Sequence, residues 1–129
     1  MEIHHSDKIH KFESLRRDRG ALTPTNQAKQ YDFGFVLESL PAKEKAPFYK
    51  FISRYINPGK TPEPFDVNID TITGDGTTLH RLQYTNCAGV DFWWYLQDGT
   101  WFYQFSQKLQ DEIRERYIFY CDGFGIAFT

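Results

Sequence analysis

The residues of this 129-residue chain whose types could do chemistry are one acidic run, four histidines and two cysteines. Asp66-Val-Asn-Ile-Asp70 matches the first five positions of a calcium loop, where alternating oxygen ligands wrap a hard cation. The match then fails. Thr71 stands where the loop needs Gly for its sharp turn, and Thr77 stands where it needs a bidentate Glu. Val67 and Ile69 suit strand burial, so the run reads as the solvated side of a strand and no metal site is assigned. His4, His5, His10 and His80 lack the spacing of a metal-ligand set. His80 with a nearby carboxylate could serve a small hydrolase or isomerase, but a half-exposed strand histidine is the commoner meaning of such a residue. There is no Gly-x-Ser-x-Gly elbow, and Gly74-x-Gly76 is a hairpin turn rather than a phosphate loop because no helix follows it. Cys87 and Cys121 each fall in or beside a predicted strand, where a free Cys acts as a small buried hydrophobe; a disulfide is the alternative if the two strands are neighbours. No enzyme activity and no cofactor is expected.

Bulk properties narrow the partners. The 15 Lys and Arg against 17 Asp and Glu give a net charge of −2, too little field to draw in nucleic acid or an anionic membrane. No run approaches the roughly 18 apolar residues of a membrane helix, and Met1 to Asp7 lacks the apolar core of a signal peptide. The expectation is a cytoplasmic protein or part of a particle.

What the sequence does carry is aromatic residues, 18% of the chain. They concentrate in Val90 to Ser106, where two ring-rich runs flank Asp98-Gly99, a pair suited to a two-residue type I′ turn. This predicts a hairpin with large rings on both faces. Lys43 to Ile56 predicts a helix, since Phe48, Phe51, Ile52, Tyr55 and Ile56 make one apolar stripe and Pro47 sits where a first turn tolerates it. Tyr31 to Leu40 alternates as a strand with one mainly wet face, and Gly34 inside it marks a bulge, a close backbone approach or a weak spot. Phe65 to Ile72 and Thr78 to Thr85 pair through Thr73-Gly-Asp-Gly76, and Asn86-Cys-Ala-Gly89 forms a corner. Gln107 to Arg116 reads as a loop or one amphipathic turn anchored by Leu109 and Ile113. Tyr117 to Cys121 and Phe124 to Phe128 are strands about an Asp122-Gly123 turn. The expected class is α+β: an antiparallel β-sandwich or small β-barrel of about six to seven strands with one flanking amphipathic helix.

Residues 1–29 differ in composition and are expected to be an arm and linker ahead of a single β-rich domain, 30–129. Ile9, Phe12 and Leu15, between Ser6 and Gly20, predict a short helix with too few apolar side chains to stand alone in water. It is expected to dock outside the barrel, with Arg16, Arg17 and Arg19 meeting an acidic partner surface.

From Leu40 onward the order of elements resembles the distal part of the tail-tube protein family of contractile phages and related injection systems. The likeness lies in Pro47-Phe48-Tyr49-Lys50-Phe51-Ile52, in the strand-turn-strand unit from Phe65 to Leu79, and in the late Tyr120-Cys-Asp-Gly-Phe124. The resemblance implies a small β-barrel with a flanking helix, stacking as rings and having no active site. The chain departs from the family in being short, in lacking a clear first sheet, and in its aromatic Val90 to Ser106 segment.

The residues therefore point to a non-enzymatic structural or interaction module, a homo-oligomer or a subunit of a larger assembly. Its expected contacts are Trp93, Trp94, Tyr95, Trp101 and Tyr103, with Ile9, Phe12, Leu15, Arg16, Arg17 and Arg19 of the arm. The alternative is a barrel holding a small apolar or aromatic ligand among Phe48, Phe51, Ile52, Tyr55, Phe92, Trp94 and Phe105.

Overall fold

The computed structural model describes residues 9–56, 63–96 and 113–129. Five strand-forming segments, β1 (Ile9–Arg16), β2 (Phe33–Ser39), β3 (Phe65–Ile72), β4 (Thr78–Leu96) and β5 (Ile113–Phe128), pair throughout in antiparallel fashion. The sheet order is β1-β2-β5-β4-β3, an open sheet with β1 and β3 at its edges among the described residues. The helix α1 (Ala46–Ile56) follows a 3₁₀ turn at Lys43–Lys45 and is the expected one, with Ile52 and Tyr55 buried against the sheet. The α+β class thus holds. No helix among the described residues is long and apolar enough to cross a membrane.

Several boundaries differ from the sequence expectation. Asn86 to Gly89 is not a corner: the 19-residue β4 runs straight through it, with two irregularities falling in this stretch. Phe65 pairs with Cys87 and Val67 with Tyr84, so two residues of β3 face three of β4, and Asn86 takes up the odd residue in a left-handed conformation at φ 54°. Cys87 pairs with Cys121 and Gly89 with Tyr120, so Ala88 is a second extra residue. Asp122-Gly123 is no turn either, since Gly123 is laddered to Thr85 inside the 16-residue β5. Arg114 to Arg116 is strand rather than loop or helical turn, because Ile113, Glu115 and Tyr117 alternate inward in register with Leu96, Trp94 and Phe92. The ladder partner of Val90 to Leu96 is therefore the start of β5; residues 97–112, with the expected Asp98-Gly99 turn, lie outside the described residues.

The predicted helix at Ile9, Phe12 and Leu15 is instead β1, hydrogen-bonded to β2. Three apolar side chains do not sustain a short helix in water, whereas the edge of β2 offers a ladder of backbone partners. Phe12 faces inward, its ring 6.0 Å from that of Phe35, and the Ser14 hydroxyl lies 2.7 Å from that of Tyr84. Leu15 faces the other way, packing with Leu22, Tyr31, Tyr120 and Ile118.

That second cluster explains why β2 is not wet on one face, as the sequence pattern suggests, but buried from Gly34 to Ser39. The expected linker after β1 crosses the sheet face opposite α1. Pro24 is fully buried, and a Cβ on Gly89 would come within 2.5 Å of its ring. The Gln27 amide donates to the Ala88 carbonyl at 2.9 Å, the Thr25 N–H donates to Asp91 at 3.0 Å, and the Tyr31 hydroxyl donates to Gln27 at 2.8 Å. Asn26 reaches round to donate to the Tyr55 carbonyl at the end of α1.

Cys87 and Cys121 form a disulfide, correcting the free-thiol expectation. Both are fully buried in the main core with Phe35, Tyr84, Val90, Tyr117 and Phe119. Closing 34 residues in the unfolded chain, such a bridge contributes about 3–4 kcal/mol on the chain-entropy account.

Of the alternatives for Gly34, the close approach is the one observed: a Cβ there would collide with the Phe119 carbonyl oxygen, a backbone atom that cannot swing aside. Gly34→Ala should lower stability by about 1–3 kcal/mol. Urea unfolding followed by tryptophan fluorescence checks this; an unchanged midpoint would contradict the contact.

Candidate functional site

The inward row of β5, Ile113, Glu115, Tyr117, Phe119 and Cys121, places one carboxylate among apolar neighbours. Burying it demands a partner. The partner is Lys45, supplied by the 3₁₀ turn that leads into α1 and only 3% exposed. The Lys45 ammonium donates to Glu115 Oε1, to Ser39 Oγ at 2.9 Å, to Tyr117 Oη at 3.0 Å and to the Leu40 carbonyl at 3.2 Å. The Tyr49 and Tyr117 hydroxyls each donate to the same Glu115 oxygen at 2.7 Å. Lys45 Nζ also lies 4.9 Å from the ring centres of both Tyr49 and Tyr117, favourable ground for a cation. Four segments thus converge here: the ends of β2 and of the turn, the first part of α1, and the start of β5.

Burial pulls the Lys45 ammonium below the usual lysine range, opposed by Glu115. Burial, reinforced by the Glu115 charge, holds Tyr49 and Tyr117 well above the usual phenol range. A desolvated lysine is the type of group that acts as a base or forms imines. Here every donor direction is spent on protein oxygens and the ammonium is covered, so the geometry is that of a clamp pinning the start of α1 to the central strand.

A second polar cluster lies through the sheet from the first. Ser39 and Glu115 are a register pair facing inward, and the adjacent pair Glu38 and Arg116 faces outward. Glu38 is buried to 8% exposure, accepts the Tyr95 hydroxyl and lies 3.5 Å from Arg116. Nearby, Asp91 accepts the Tyr120 hydroxyl at 2.8 Å as well as the Thr25 N–H.

The expected contact residues are distributed unevenly. Trp93 and Trp94 are 47% and 39% exposed on β4 with ring centres 5.1 Å apart, while Tyr95 is engaged by Glu38. Trp101 and Tyr103 lie outside the described residues, as does Phe105. Ile9 is exposed at the start of β1, but Phe12 and Leu15 are packed within the chain. Arg17 pairs with Asp32 at 3.0 Å and Arg16 approaches Asp18 at 3.9 Å, so two of the three arginines answer acids of their own chain; Arg19 borders a half-open groove with Gly20 to Leu22. Of the rings expected to line a ligand pocket, Phe48 stands edge-on to Tyr117 at 5.0 Å, Phe51 edge-on to Phe65 at 4.9 Å, and Phe92 lies 5.1 Å from Tyr117.

His80 is half-buried with its ring 5.9 Å from that of Phe128, and its Nδ1 makes no hydrogen bond among the described residues. The acidic run is accounted for by strand contacts: Asp66 accepts the Asn86 N–H at 3.1 Å, and Asp70 receives a two-point ion pair from Arg81 at 2.7 and 3.0 Å. Among the described residues no three His, Cys, Asp or Glu side chains gather as a metal site.

Sequence reasoning missed the Lys45–Glu115 pair altogether. Its available signal was Glu115 at an apolar position of the Ile113 to Cys121 alternation. Compared with known proteins, the chain matches no family model and no curated sequence.

Lys45→Met, which leaves Glu115 buried without its cation, should cost about 3–5 kcal/mol, and adding Glu115→Leu should recover much of that loss. Urea unfolding of the two variants tests the clamp; equal losses in both would refute it. A second expectation concerns alkali. Tyr49, Tyr84, Tyr117 and Tyr120 are all held above the ordinary value of 10.0, chiefly by burial. The native state then keeps protons that the unfolded chain releases, so their contribution is full below pH 10 and is lost as pH rises through the folded values. Lys45, shifted downward, acts in the opposite sense below 10.5 but is a single group. Tyrosinate absorbance at 295 nm should therefore rise together with loss of far-UV signal above about pH 10; free titration of most tyrosines in a folded protein would contradict it.

Proposed function

We propose that this chain is a non-enzymatic structural module that acts by assembling, with copies of itself or within a larger complex. The observation that carries the reading is the open sheet: among the described residues both edge strands, β1 and β3, are eight residues long and have no further strand beside them. Long uncovered edges are what natural sheets ordinarily shorten, twist away or cover, because they template pairing with other chains. Exposed apolar side chains support the reading, with Ile72, Leu79, Ile126 and Phe128 from 47% to 76% exposed at one end of the sheet and the Trp93–Trp94 pair further along β4. The charged clusters favour it too, since Lys45, Glu115 and Glu38 are spent on holding the fold. On this reading a barrel-like closure, with more strands than the five described, comes from neighbouring copies, as the layout likeness to tail-tube subunits also suggests. Partners are other protein chains, not nucleic acid or membrane.

Size-exclusion chromatography with light scattering is the test. The expected result is a mass that exceeds the 15.3 kDa of one chain and grows with concentration. A monomer up to millimolar concentration that also recovers no partner would overturn the proposal.

A further inference from the structure

The two edges of the sheet differ in charge. The segment from Glu63 to Asp75 that contains β3 carries Glu63, Asp66, Asp70 and Asp75 and no Lys or Arg. The segment from Ile9 to Arg19 that contains β1 carries Lys11, Arg16, Arg17 and Arg19 against Glu13 and Asp18. Arg81 already answers Asp70, and Asp32 answers Arg17. Lys11 and Asp66 are exposed strand residues with no ion-pair partner among the described residues. They also share a side of the sheet. Phe12 and Val67 pack on the face that carries α1, so their neighbours Lys11 and Asp66 point to the opposite face.

We propose that a second copy of this chain adds its β1 edge to the β3 edge of the first, head to tail, with Lys11 of one copy beside Asp66 of the next. The proposal rests on the self-assembly reading above and specifies its interface. With five antiparallel strands the two edges run in the same direction, so copies facing the same way meet as a parallel pair. Placing Lys11 beside Asp66 sets Phe12 beside Val67 on the inner face and continues the apolar layer from one copy into the next. It also sets Glu13 beside Asn68. A slip of two residues would instead bring Glu13 beside Asp70, like charge against like. Two-fold pairing of β3 on β3 is disfavoured on the same ground, since that strand carries acids and no cation to face them. The chemistry recognised is thus an extended backbone ladder with opposite charges at one register position.

Lys11→Glu and Asp66→Lys test it, each checked for an unchanged unfolding midpoint. Each variant alone should associate about tenfold or more weakly in sedimentation velocity. An equimolar mixture should regain wild-type association, since one junction then keeps the original charges and the other exchanges them. Wild-type association in either single variant, or failure of the mixture to recover, overturns this interface while leaving self-assembly standing. A monomeric wild type instead overturns the assembly reading on which it rests.

Discussion

A sheet whose middle strands are apolar on both sides has to be covered twice, and that requirement organises the whole chain. β2 is buried from Gly34 to Ser39 without alternation, a pattern seen when both faces lose water. One cover is α1, a standard amphipathic helix. The other is the irregular run from Leu22 to Tyr31, which has no regular hydrogen bonding of its own to satisfy its polar groups. It solves this by spending side chains: Gln27 on the Ala88 carbonyl, Asn26 on the end of α1, Tyr31 on Gln27. Ladder-free backbone can lie across a sheet only when such partners exist.

The two charged clusters are the places where this cover meets ends of strands. Ser39 and Glu115 lie inward and Glu38 and Arg116 outward at the same level of the sheet, so polar groups are stacked through its thickness where the apolar layers run out. The inward cluster is the costlier, because a buried ammonium and carboxylate give up hydration that only good geometry repays. Its return is specificity of placement. Four oxygens around one ammonium admit few alternative positions for the turn that starts α1, whereas an apolar contact of similar area would tolerate sliding.

How much of this was legible in the sequence follows from how many faces each element buries. α1 and the β3–β4 turn were readable because each has one wet side, so apolar residues recur with a single period. β1 was not, since Phe12 packs inward and Leu15 outward at different points along an edge; that spacing imitates a helix. The length of β4 and β5 was hidden by Asn86 to Gly89 and Asp122-Gly123, dipeptides and tetrapeptides that usually turn a chain but here sit within extended ladders. The Lys45–Glu115 pair joins residues 70 apart, and nothing local in either neighbourhood names the other.

The disulfide also has a mechanical meaning, set by where it sits in the ladder. Cys87 and Cys121 sit opposite each other in the ladder, and the chain between them includes the aromatic half of β4 and the first half of β5. Tension applied at the two ends of the chain would cross from one cysteine to the other through the covalent bridge. The enclosed loop, with its ends 34 positions apart in sequence and roughly 110 Å if drawn out, is thereby removed from the load path. Under strain β1, β2, β3 and the outer parts of β4 and β5 would carry the load, while the parts of β4 and β5 between the two cysteines would be shielded from it.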